Sequence, residues 1–132
     1  QLRIASGEKL AYKQKQIAIR GHAIECRINA EDPKTFMPSP GTITLYHPPG
    51  GPGIRVDTPI YTGYCVPPYY DSLIGKLIAY GPSREIALAR LRTEIVIEGI
   101  STNIPLHQAL VRDANFIQGG TNIHYLEQRL VL

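Results

Sequence analysis

The sequence predicts an α+β fold, a small and mostly antiparallel β-sheet followed by helices, and three observations carry that prediction. Ile24, Cys26 and Ile28 alternate with Glu25, Arg27 and Asn29, the period of a half-buried strand. Residues 38–68 are cut by prolines and glycines into short runs rich in β-branched residues. From Ser83 onward, helical spacing and capping residues take over. The 132 residues, 43% hydrophobic and 19% charged, suit one domain over 1–132 and argue against disorder.

In chain order, residues 1–7 read as the end of a helix stopped at Gly7, and 8–16 as a polar connector. A strand is expected within Ile17–Asn29, closed by the turn signal Asp32-Pro33. Thr42–Tyr46 is a second strand, and Pro48–Gly53 is a loop, being too rich in proline and glycine for a helix or a central strand. Ile54–Asp57, Ile60-Tyr61 and Tyr64–Val66 are short strands; Leu73–Tyr80 is a longer apolar one. Ser83 is an N-cap with Glu85 in the first turn. The helix it opens is expected to reach about Glu98, with Leu88, Leu91 and Ile95 on one face and Gly99 as its stop. A second helix covers 103–112, with Asn103 as cap and Pro105 in its first turn; a last one runs from an Asn122 cap to Leu130.

Net charge is +3, carried by dispersed arginines and lysines, so a nucleic-acid module is not indicated. Cys26 and Cys65 form no CxxC pair, as suits reduced thiols in a cytoplasmic protein, and the four histidines show no metal-ligand spacing. No stretch approaches the ~20 apolar residues of a membrane span. The chain starts without Met or an apolar leader, which raises the expectation of a piece of something larger.

Four segments hold residue choices that packing alone does not explain. In GHAIECRINAEDP (21–33), Arg27 sits on a strand face with Glu25 and Asn29. A permanently charged planar fork on a stiff platform suits a developing oxyanion, although a solvated polar face gives the same pattern. In PPYYDSLIGK (67–76), Asp71 could pair with Arg27 or Lys76, or merely form a turn. PPGGPGIR (48–55) leads into a strand and is interrupted by prolines, so it is no phosphate loop and reads as a surface contact. In GGTNIHYL (119–126), His124 lies in the first turn of a helix, where amide groups attract phosphate; an ordinary cap is the plain alternative. From the residues alone, the reading is an α+β domain with an anion site at Arg27.

Together with FMPSPG (36–41) and GGTNIHYLEQRL (119–130), these segments resemble the biotin carboxylase family over nearly the whole chain, and specifically its C-terminal domain. The likeness is greatest to the stand-alone subunits of bacterial acetyl-CoA carboxylases; the corresponding domains of propionyl-CoA, methylcrotonyl-CoA and pyruvate carboxylases are similar. The resemblance implies an ATP-dependent ligase that carboxylates biotin on its carrier protein from bicarbonate, the first half-reaction of acetyl-CoA carboxylase in fatty acid synthesis. The ATP-grasp core and the magnesium ligands of such an enzyme would lie upstream, so this chain alone is expected to be inactive. The resemblance places Arg27 at biotin and bicarbonate, Asp71 near the biotin end, and Ile123 and His124 beside ATP. It places Pro52 and Arg55 at a homodimer contact, where Pro52 stands in place of an expected aromatic anchor. Biotin carboxyl carrier protein and a carboxyltransferase component are the implied partners. The competing reading is a non-catalytic module that binds a protein partner through its β face.

Overall fold

A computed structural model describes residues 1–130, Leu130 by its backbone alone. The elements are α1 (Leu2–Ala5), a 3-10 turn at Gln14–Gln16, β1 (His22–Asn29), β2 (Gly41–Thr42), β3 (Leu45–His47), β4 (Ile54–Asp57), β5 (Cys65–Val66), β6 (Leu73–Gly81), α2 (Arg84–Leu91), β7 (Val96–Glu98), α3 (Ile104–Leu110), α4 (Ala114–Gln118) and α5 (Tyr125–Leu130). All strand pairs are antiparallel. The largest sheet has the order β1-β6-β4, and β2-β5 and β3-β7 form separate two-stranded ribbons.

The alternation at 24–29 is realised in β1. Ile24, Cys26 and Ile28 are buried, whereas Glu25 and Arg27 are exposed. Leu77 and Ala79 of β6 join them on the inner face, and α2 covers that face with Ala87, Leu88 and Leu91. The Ser83 hydroxyl accepts a hydrogen bond from the Ile86 amide, so the expected cap opens α2. Ile43, between β2 and β3, is wholly buried and ties the ribbons to the same core.

Three expectations fail locally. The helix from Ser83 ends at Leu91, not near Glu98. Ile95, Val96 and Ile97 are consecutive β-branched residues, which crowd a helix and suit a pleated surface. Val96–Glu98 therefore becomes β7 and pairs with β3, Leu45 opposite Glu98 and Tyr46 opposite Ile97. Thr42–Tyr46 is split between β2 and β3, and Ile60-Tyr61 is not a strand, although Ile60 is buried.

The helical end also differs. Asn103 occupies the position before α3, but its side chain does not cap that helix. An unforeseen short helix, α4, follows with Asp113 as its N-cap. Asn122 lies short of α5: its Oδ1 accepts from the His124 amide, and the His124 carbonyl accepts the first bond of the helix from Gln128. His124 thus stands at the threshold of α5 rather than in its first turn. Arg84 joins α2 to α4, its Nε donating to the Ile117 carbonyl at 3.3 Å and its guanidinium lying 5.1 Å from the Phe116 ring centre.

α4 and α5 share one carboxylate. Asp113, whose side chain is only 4% exposed, accepts from the Tyr125 hydroxyl at 2.5 Å and the Phe116 amide at 3.0 Å, and pairs with Arg129 at 2.7 Å. The Tyr125 and Phe116 hydrogen bonds, helped by Arg129, hold its acid form below the ordinary carboxylate range. A depressed folded pKa stabilises the folded state above the unfolded value of about 3.9, and that stabilisation disappears as pH falls through the folded pKa. Asp113→Asn is therefore expected to melt below the parent at pH 6, with the gap narrowing by pH 3. Parallel melting curves that keep the same gap at both pH values would contradict the assignment.

Candidate functional site

The outward face of β1-β6-β4 carries the charged residues, and the register sets them in rows. Arg27 stands opposite Lys76, and Lys76 stands opposite Asp57 on the far strand. The next row is Glu25, Ile78 and Arg55. The Arg27 carbonyl points away from β6 toward α3, so Arg27 and Lys76 form a non-hydrogen-bonded pair, the class whose side chains stand closest. Two cations directly opposite repel each other, which is unfavourable unless an anion bridges them.

The partners on this face are unequally shared. Arg55 forks onto Asp57, its Nε and Nη2 at 2.9 and 2.8 Å from the two carboxylate oxygens. The Arg55 fork, with Lys76 adding to it, holds the Asp57 carboxyl below its usual range. Among the described residues, no side chain hydrogen-bonds or pairs with the Arg27 guanidinium. It is exposed, on a strand, and opposite a second cation, an arrangement able to take an anion arriving from outside the chain.

Asp71 does not pair with Arg27 or Lys76. Its carboxylate accepts from the Leu73 amide at 2.8 Å and forms the turn into β6. The adjacent Ser72 hydroxyl donates to the Glu31 carboxylate, to which Asn29 Nδ2 also donates at 3.3 Å. The Asp71 turn and the end of β1 are thereby tied together. Cys26 lies beneath the site, where burial, and to a lesser degree Glu25, pushes its thiol up to about 11, so it is no nucleophile.

Ile123 is 89% exposed and precedes His124, whose Nδ1 faces Glu127 at 3.0 Å. Beside them is a polar depression lined by Asn115, Gln118, Gly119, Gly120, Thr121 and Tyr125. Pro52 is exposed in the turn before β4, and Arg55 follows it on the charged face. No cluster of His, Cys, Asp or Glu among the described residues could hold a metal ion, and no helix among them is long and apolar enough to cross a membrane.

Two residues escaped the site expectations, and a third, Lys76, entered them only as a possible partner of Asp71. Lys76 belongs to the face through sheet register, which a single strand does not reveal. Asn103 and His107 both reach the Arg27 carbonyl from α3, at 3.0 and 2.8 Å. Their spacing of four along a helix is visible in the sequence, but the strand they meet is not.

Residues 25–128 match the family model described as biotin carboxylase C-terminal domain, and the chain belongs to that family. It is 63% identical over 132 residues to the biotin carboxylase of Pseudomonas aeruginosa, covering 98% of this chain and 29% of that protein. It is 58% identical to the Haemophilus influenzae biotin carboxylase, covering 98% of this chain and 30% of that one. Among solved structures it superposes with a TM-score of 0.92, at 48% identity, on the biotin carboxylase domain of the Hydrogenobacter thermophilus 2-oxoglutarate carboxylase, a dimer in complex with MgADP, ADP and bicarbonate. That match covers 97% of this chain and 29% of the other. The biotin carboxylase of Campylobacter jejuni, solved as a β,γ-ATP complex, aligns with a TM-score of 0.89 at 42% identity, over 96% of this chain and 29% of that one. The chain thus spans less than a third of the length of these relatives.

Proposed function

We propose that this chain is the C-terminal domain of an ATP-dependent ligase that carboxylates biotin on its carrier protein, with Arg27 as the residue that meets the reacting anion. One observation carries the reading: Arg27 and Lys76 face outward side by side, with no anion from the described residues between them. Biotin becomes nucleophilic when its ureido group loses a proton and its oxygen gains negative charge. A guanidinium already aimed at that oxygen stabilises the charge without reorganising, the principle of an oxyanion site. The same cation can first hold bicarbonate, whose carbon is activated by ATP.

The other assignments follow the same reading. Asp71 stands at the biotin end and acts through the backbone, by shaping the turn that Ser72 and Glu31 tie to β1. Ile123 offers an apolar surface to the adenine, and His124 presents Nε2 to the polar part of the nucleotide while Glu127 holds Nδ1. The same reading assigns the Mg2+ ligands to an upstream ATP-grasp core. Residues 1–21 are exposed throughout, with Leu2 at 88% and Ile19 at 98%, as suits a segment covered by that core. Pro52 and Arg55 lie together at a homodimer contact; biotin carboxyl carrier protein and a carboxyltransferase component are the further partners, in cytoplasmic fatty acid synthesis.

The test is an assay of the intact protein for ATP hydrolysis that depends on both bicarbonate and biotin, with residues 1–132 alone run in parallel. Activity is expected only from the intact protein, with at most weak ATP binding by the isolated chain. An intact protein whose ATP hydrolysis ignores biotin would refute the reading, and micromolar affinity of the isolated chain for ATP would refute the division of labour.

A further inference from the structure

β1 is an edge strand, and the polar groups on its free edge meet α3 instead of another strand. The Asn103 side-chain amide behaves there like a neighbouring peptide group. Its Oδ1 accepts from the Asn29 amide at 2.9 Å, and its Nδ2 donates to the Arg27 carbonyl at 3.0 Å. The Asn103 backbone amide adds a bond to the Asn29 carbonyl at 3.1 Å. One turn further along α3, His107 Nε2 lies 2.8 Å from the same Arg27 carbonyl. A carbonyl can only accept, so Nε2 carries the proton.

On the other side of this segment the ladder is broken. Ile28 pairs with Gly75 but Asn29 pairs with Leu73, so Ile74 is left over as a bulge. The ladder to β6 is thus interrupted at Ile28–Asn29, next to the carbonyl that α3 holds. One donor would satisfy the Arg27 carbonyl. A second, from a histidine whose charged form is disfavoured by burial, is more than edge protection requires.

From this geometry we infer that Asn103 and His107 are positioning residues that fix the Arg27 backbone from the free edge of β1 and so set where its guanidinium stands. The inference rests on the reading of Arg27 proposed above. An exposed arginine has wide rotamer freedom, and its reach is fixed only as well as its Cα is. Small displacements of a charge-stabilising group are costly, on the order of 10²-fold for about 1 Å.

The experiment uses the intact protein and four variants: R27A, H107A, H107Q and the double variant R27A/H107A. H107A is expected to lower the turnover of biotin-dependent ATP cleavage about tenfold with an unchanged KM for ATP. H107Q, which keeps a donor, is expected to recover most of the loss. The double variant is expected to be no slower than R27A, because His107 acts through Arg27. Amide exchange at Ile28, in the same peptide plane as the Arg27 carbonyl, is expected to accelerate in H107A. If H107A does not fold, N103D takes its place: it keeps the acceptor for Asn29 and removes the donor to Arg27. Unchanged exchange, unchanged turnover, or a loss that adds to that of R27A would each overturn the inference. A fully active R27A would instead overturn the reading of Arg27, and the exchange measurement would still decide the clamp.

Discussion

R27A in the intact protein is expected to lower turnover of the biotin-dependent reaction by about 10²–10³-fold, the range found when a single oxyanion donor is removed. The argument begins with what does not hold the guanidinium. No described side chain pairs with Arg27, whereas Arg55 on the same face is fully engaged by Asp57. Removing Arg27 therefore breaks no internal ion pair, and its exposed position leaves the core of Ile24, Cys26 and Ile28 untouched. The melting temperature is expected to stay within a few degrees of the parent, which separates a chemical loss from an unfolded enzyme. Kcat and kcat/KM for biotin should fall together, as they do when an interaction is made chiefly in the transition state. The KM for ATP should hold, since the proposed nucleotide contacts lie at Ile123 and His124. R27K retains the charge but loses the planar fork, and is expected to recover less than about a tenth of the lost activity. Full activity in R27K would mean that a bare positive charge suffices, and the fork geometry would then play no part.

Legibility in the sequence followed the range of the interactions. Where near neighbours decide a residue's fate the reading held in most places, the local Asp113 cap of α4 being an exception. The alternation in β1, the Ser83 cap and the loop at 48–53 all appear as expected. Where a distant partner decides, it failed. Ile95 sits seven residues after Leu88, a helical spacing, and it is buried, but in the chain leading into β7. The strand it leads into pairs with β3, some fifty residues earlier in the chain. Asn103 at the start of a helix is locally a cap; its amide goes to β1 because an unpaired strand edge lies there. The same logic divides the candidate site. Arg27 was legible as an outward residue on a strand, and its placement on that face agrees with the alternation. The adjacency of Lys76 needed the β1-β6 register, whereas the turn at Asp71, its carboxylate on the Leu73 amide two residues on, is the local alternative the sequence already offers.

Gly99 makes the same point with the largest expected effect on stability. As a helix stop it would be replaceable at modest cost, because many helix ends tolerate other residues. In the structure it turns the chain immediately after β7, with φ of +97°, and lies against the turn between β2 and β3. A Cβ there would fall well inside contact distance of the Thr42 carbonyl oxygen and 2.8 Å from the Thr44 nitrogen. Both obstacles are backbone, and Thr44 also donates its amide to the Glu98 carbonyl at 2.9 Å, so neither can move without opening the β3-β7 ribbon. Left-handed strain costs about 1–3 kcal/mol by itself, and the overlap adds to it. G99A is therefore expected to destabilise the 132-residue chain by at least about 3 kcal/mol, read as a lower urea midpoint at similar slope. Gly50 supplies the control: an added Cβ there meets nothing within 4 Å, and G50A should stay within about 0.5 kcal/mol of the parent. A G99A chain as stable as G50A would show that the β7 turn is not locked to the β2-β3 backbone, and would return residues 96–99 to the helical reading the sequence first suggested.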